Sequence, residues 1–415
     1  MTTSLRRLAC GLLLLAACAH AGATSSADTG WTASWSAAPD AAGPALAPQS
    51  IRQIVRISSG GTRVRVRLSN LYGKAPLVVG QARVGAHASG SAIVAGSDHA
   101  LLFGGRPGVT IAPGASVLSD GVGMAVAPLQ ELAISLYLPA PVAQATIHGA
   151  AMQTAYAALG ADRTAAAVFP DSQLTRSRYF LTDVEIGGAP DRRTLVVLGD
   201  SISDGIGSTE GGNRRWTDAL AERLQASPTL AKVAVSNAGI AGNRLLRDGN
   251  EIYVGTGMLA RFERDALAKP GVRTIVLAGG INDISASVLL RAAPAEQASA
   301  QQIIDGMQAL IRRAHAKRVQ VWGATLIPYA GTDDFYSDEG EKKRQAVNAW
   351  IRTSRAFDTV VDFDRAVRDP AHPERLLAAY DSGDHLHPND AGYQAMAAAV
   401  NLGKLAPAGR TRSAW

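Results

Sequence analysis

Cysteine is almost absent: the 415-residue chain has two, Cys10 and Cys18, both near its start. The rest of the chain therefore has no disulfide, no cysteine-based metal site and no thiol nucleophile. Aromatic residues make up 5% and charged residues 18%. With so few rings, the cores are expected to consist of Val, Leu, Ile and Ala. No run of Lys and Arg with interleaved aromatics occurs, which argues against a nucleic-acid partner. The net charge of +6 falls by two if Arg6 and Arg7 are removed with a leader. What remains attracts anionic polymers only weakly. No apolar run reaches membrane-spanning length; the longest, LACGLLLLAAC (residues 8–18), is too short.

That short run instead reads as part of an export leader over residues 1–23. Arg6 and Arg7 precede it, and Ala19-His20-Ala21 supplies small residues for cleavage. LAAC (15–18) also resembles a bacterial lipobox, which would place a lipid on Cys18. The sequence thus predicts an exported protein, periplasmic or extracellular. A lipid anchor at Cys18, making it an outer-membrane lipoprotein, is the alternative.

The length and an apolar content of 47% fit two domains with large cores. Residues 28–186 predict an all-β, sandwich-like domain. In TRVRVRLSN, Val64, Val66 and Leu68 alternate with Arg63, Arg65 and Arg67, the period of a half-buried strand. The arginines are expected on a solvated face. The Gly/Pro-containing segment 187–193 reads as a linker. Beyond it, over 194–403, short apolar runs (TLVVLG, KVAVSN, RTIVLAGG, RVQVWGA, DTVVDF) alternate with helical segments. This alternation predicts an α/β fold, a parallel sheet covered by helices on both faces. Residues 404–415 read as a flexible tail.

Four short stretches near predicted strand ends carry residues suited to chemistry. In VVLGDSISDG, Ser201 follows an apolar strand; it is either a nucleophile or the cap of the next helix. In SNAGIAGNR, Gly242 can bring a bare backbone N–H to a ligand, or simply make a turn. In LAGGINDIS, Asn282 can aim an amide at a developing oxyanion, while Asp283 anchors its loop. In DSGDHLHPND, Asp384 precedes His387 by three residues, close enough to fix the tautomer of its ring. A zinc reading of this last stretch uses His385, His387 and Asp384 or Asp381, but it leaves the other three stretches without a role.

Together, GDSIS, NAGIAG, GIND and DHLHP resemble the sequence blocks of the SGNH hydrolases, also called GDSL esterases and lipases. The resemblance covers about Thr194 to Leu402. It implies a flavodoxin-like three-layer α/β/α domain, with Ser201 as nucleophile, His387 as base and Asp384 as its orienting acid. It also implies an oxyanion hole made of the Ser201 and Gly242 N–H groups and the Asn282 side chain. No metal or cofactor is implied. The region before the catalytic domain resembles that of a secreted subgroup, which includes esterases found alongside xylanases in bacterial gene clusters.

The expected activity is hydrolysis of carboxylic esters through an acyl-enzyme, with acetyl groups on carbohydrate such as plant polysaccharide as the first candidate substrate. A lipase or lysophospholipase acting on longer acyl esters is the second, and a non-catalytic carbohydrate-binding protein the third. The loop GATLIPYAGTDDFYSDEG is expected to border the cleft, with Tyr329, Phe335 and Tyr336 packing it or stacking on a sugar. The β-domain reads either as a carbohydrate-binding module or as a cap that shapes the cleft.

Overall fold

The computed structural model describes residues 30–188, 191–249, 254–289 and 297–405. The leader, both cysteines and residues 406–415 lie outside them, as do Ala189 and Pro190 of the linker.

From Trp31 to Gly187 every regular element is a strand. One antiparallel sheet is ordered Trp31–Ser36, Leu181–Gly187, Gly61–Ser69 and Ser116–Leu118, with Val122–Val126 also paired to Gly61–Ser69. A second is built around Gln49–Arg56, Glu131–Leu138 and Gln81–Ser89. Val64, Val66, Leu68, Val184 and Ile186 of the first sheet share one core with Ile51, Val55, Leu132, Ile134 and Leu136 of the second. This is the packing of a β-sandwich.

The arginine stripe departs from expectation at Arg65, whereas Arg63 is exposed and Arg67 partly so. Arg65 is buried, its Nε 2.6 Å from Glu185 Oε2 on the neighbouring strand, and Arg67 pairs with the same carboxylate at 3.4 Å. Arg63 and Arg65 lie over the Trp31 ring, at 4.8 and 4.2 Å from its centroid. The outer face of this strand is a satisfied cation–carboxylate–aromatic layer.

From Arg193 onward the chain forms a parallel five-stranded sheet. Its order is Val233–Gly239, Arg193–Gly199, Val272–Ala278, Gln320–Ala324, Thr359–Val361, so the first strand in the chain lies second in the sheet. That 2-1-3-4-5 order is the flavodoxin-like one, and ligands in such sheets bind beyond the carboxyl end of the first strand. Leu195, Val196, Val197 and Leu198 have no exposed surface, because helices cover both faces of their strand. The helices Trp216–Gln225 and Asp390–Ala399 pack on each other, as do Ala300–Ala316 and Asp338–Thr353. Lys404 and Leu405, assigned above to the tail, instead close a last helical turn, with Leu405 in the core.

The edge strand Val233–Gly239 faces the β-domain. Ser58 Oγ accepts the Val235 N–H at 2.9 Å, and Ser36 Oγ donates to Asn237 O at 2.7 Å. Hydroxyls of one domain thus satisfy backbone groups that a sheet edge would leave bare. Lys269 pairs with the buried Asp183 across the same boundary. Ala38, from the β-side of the chain, is part of the catalytic-side core.

Candidate active site

Strand Arg193–Gly199 delivers the chain to the sheet's carboxyl edge, and Asp200 caps the short helix Ser201–Asp204 by accepting the Ile202 N–H at 3.1 Å. Ser201 is the first residue of that helix. Gly205 ends it at φ +103, a conformation suited to glycine. Asp200 is fully buried, and burial pushes its carboxyl up to about 7. The guanidinium of Arg261, also buried, holds the strand ends together by donating to Gly199 O at 3.0 Å, Ala238 O at 2.8 Å and Asn243 Oδ1 at 3.1 Å.

The three expected catalytic side chains form a line. His387 Nε2 is 2.8 Å from Ser201 Oγ, and His387 Nδ1 is 2.6 Å from Asp384 Oδ2. Burial alone would raise the Asp384 carboxyl. Hydrogen bonds from the His387 ring and from the N–H groups of His387 and Leu386 outweigh it and hold the group well below its ordinary range. An ionised carboxylate only accepts, so Nδ1 carries the ring proton and Nε2 accepts from the Ser201 hydroxyl. The arrangement can take a proton from Ser201 and keep the resulting imidazolium paired.

His385 turns elsewhere: its Nδ1 lies 2.6 Å from Asp381 Oδ2, and more than half of its side chain is exposed. The two histidines therefore serve different carboxylates. Among the described residues, no three His, Cys, Asp or Glu side chains converge as a metal would need.

Gly242 and Asn282 sit on the neighbouring strand ends. Gly242 has φ +68, and Ala241 beside it donates its N–H to Asp204 Oδ2 at 3.0 Å. Asn282 lies in the first turn of the helix Ile281–Leu289. One N–H of its amide donates to Asn243 O at 3.0 Å, which leaves the other available. Asp283, pushed up to about 6 by burial, accepts the Leu245 and Leu246 N–H groups and so ties the Gly242 loop to this helix.

Ser201, Gly242, Asn282 and His387 all line one cavity of about 450 Å³. Ile206, Ala241, Phe335 and Leu386 make much of it apolar. Of the loop aromatics, Phe335 reaches the cavity, whereas Tyr329 is buried against Tyr336 with ring centroids 5.3 Å apart. The remaining wall was not foreseen residue by residue: Ala150, Ala151, Met152 and Arg176 come from the β-domain.

The profile of the GDSL-like lipase/acylhydrolase family matches residues 197–395. This part of the chain is a GDSL-like acylhydrolase domain. It is a carboxylic ester hydrolase domain, built as the three-layer α/β/α fold described above. No curated protein matches the chain. Among solved structures, a GDSL-like lipase from Bacteroides thetaiotaomicron is 17% identical, with a TM-score of 0.38 over 51% of this chain and 88% of that one. The acetyl xylan esterase AlAXEase is 21% identical, with a TM-score of 0.37 over 50% and 96%. A catalytic mutant of an acetylxylan esterase from Geobacillus stearothermophilus is 20% identical, with a TM-score of 0.39 over 51% and 94%. The family match, residues 197–395, spans about half of the chain, and the β-sandwich precedes it.

Proposed function

We propose that this protein is an exported serine esterase in which Ser201 attacks the ester carbonyl. His387 takes the Ser201 proton as the new bond forms. The oxyanion is held by the N–H groups of Ser201 and Gly242 and by the free amide N–H of Asn282. Collapse expels the alcohol, which receives the proton from His387 and leaves an acyl group on Ser201. Water, deprotonated by the same ring, then releases the acid and restores the serine. Asp384 stays ionised throughout and keeps the His387 ring in register. The observation that carries this reading is the unbroken line Ser201–His387–Asp384, with both contacts at hydrogen-bond length.

For the substrate we propose short acyl esters, acetyl first, on carbohydrate. The export leader and the resemblance of the N-terminal region support this. The cavity supports a second reading: its apolar lining and volume of about 450 Å³ hold more than an acetyl group. Longer acyl esters are therefore the competing class.

Hydrolysis of p-nitrophenyl esters from acetyl to palmitoyl, with EDTA present, tests both readings. Activity is expected to vanish in Ser201→Ala. A short-chain optimum favours the deacetylase, and a long-chain optimum the lipase. Activity that survives in Ser201→Ala overturns the serine mechanism.

A further inference from the structure

The segment after strand Thr146–His148 of the β-domain adds Ala150, Ala151 and Met152 to the lining of the cavity that Ser201 also lines. The other two residues that this segment adds to the lining, Ala150 and Ala151, are small. Met152 is thus the one long side chain that the β-domain's segment places in the cavity. A thioether on an unbranched stem fits a surface that must pack against hydrocarbon.

This wall is fixed relative to the nucleophile. Met152 has φ +47, a left-handed backbone that non-glycine residues rarely adopt and keep only where neighbours impose it. The imposing contacts come from the GDSL domain. Gly211 N–H donates to Met152 O at 3.0 Å, and Arg215 Nη2 donates to Ala151 O at 2.6 Å. Arg176 Nε lies 2.8 Å from Glu210 Oε1 at the rim. At the other end of the segment, His148 Nε2 is 3.0 Å from Asp204 Oδ1, on the helix that Ser201 opens. The same Asp204 accepts the Ala241 N–H beside Gly242. One segment of the β-domain is therefore tied to the nucleophile helix, to the Gly242 loop and to residues 210–215.

We propose that Met152 is a specificity-determining residue, and that the β-domain uses it to set the length of acyl chain the cavity accepts. An apolar wall beside an ester carbonyl recognises hydrocarbon, so the acyl chain rather than a hydroxylated alcohol lies against it. This inference rests on the serine-esterase reading above.

The test compares the full-length wild type with Met152→Ala, Met152→Trp and the conservative Met152→Leu. The readout is the ratio of kcat/KM for decanoyl over acetyl p-nitrophenyl esters. Met152→Ala should raise that ratio and Met152→Trp should lower it, each about 10-fold or more, since a methylene in an apolar pocket is worth about 10–200-fold. Met152→Leu should stay near the wild type, which separates pocket size from misfolding. Equal ratios in all four proteins would overturn the proposal. The Ser201→Ala control keeps the two failures apart. Loss of activity there with equal ratios sinks Met152 alone, whereas activity there sinks the serine mechanism on which Met152 depends.

Discussion

The Asn282 amide is the most exacting residue in the site. It is nearly buried, and one of its N–H groups is already committed to Asn243 O; in the proposed mechanism the other gains its best partner only when the carbonyl oxygen becomes an oxyanion. Such a donor stabilises the transition state more than the ground state, so its loss falls on kcat. Asn282→Ala is expected to lower kcat by about 10²–10³ with little change in KM. Steady-state kinetics check this, and a variant with normal folding and wild-type kcat would remove Asn282 from the oxyanion hole. The candidate site residues were legible because each lies in a short block of distinctive neighbours; for Ser201 and Asn282 the block runs strand, then glycine, then functional side chain. His148, Met152 and Arg261 were not. Their importance comes from partners far away in sequence, such as Asp204 for His148, and nothing local distinguishes them from ordinary core or loop residues.

At the level of elements, the two kinds of strand were readable for a physical reason. Gly61–Ser69 alternates because one face meets the sandwich core, whereas Arg193–Gly199 is continuously apolar because both faces are covered. The helix Ile281–Leu289 was hidden by the Gly and Asn/Asp residues that open it, which also signal turns. The burial of Arg65 within the arginine face was not readable, because alternation does not reveal that Trp31 and Glu185 cover it. The covered edge strand Val233–Gly239 leads to a prediction. Ser58 Oγ is the partner of the Val235 N–H, and Ser58 is buried. Ser58→Ala leaves that N–H without its partner and should destabilise the protein by about 1–3 kcal/mol. The fall should appear as a lower urea midpoint with kcat unchanged, since Ser58 touches no residue of the site. An unchanged midpoint would mean that the edge is held by apolar packing instead.

For the whole molecule, the question is what keeps two cores in one arrangement, and the His148–Asp204 pair offers a pH-dependent answer. His148 has almost no exposed surface, with Nδ1 at 2.9 Å from Ala38 O and Nε2 at 3.0 Å from Asp204. Asp40 adds a second nearby carboxylate, and Arg178 is the neighbour of His148 across the strand pair. Burial works against charge on the ring, but the Asp204 and Asp40 carboxylates outweigh it and raise its pKa from 6.5 to about 9. A group whose folded pKa is raised stabilises fully below its unfolded value and loses that contribution as pH rises through the folded value. Docking of the β-domain should therefore be strongest below about pH 6.5 and weaken towards pH 9. The contacts that fix the Met152 wall cross the same boundary, so the two domains should unfold in one transition. Calorimetry from pH 6 to 10 is expected to show a single endotherm whose Tm falls by a few degrees over that range. Other groups also titrate there, so the decisive quantity is the difference from His148→Gln. That variant should start from a lower Tm at pH 6 and lose less on the way to pH 10. Parallel Tm curves for the two proteins would show that the ring's charge does not hold the domains together.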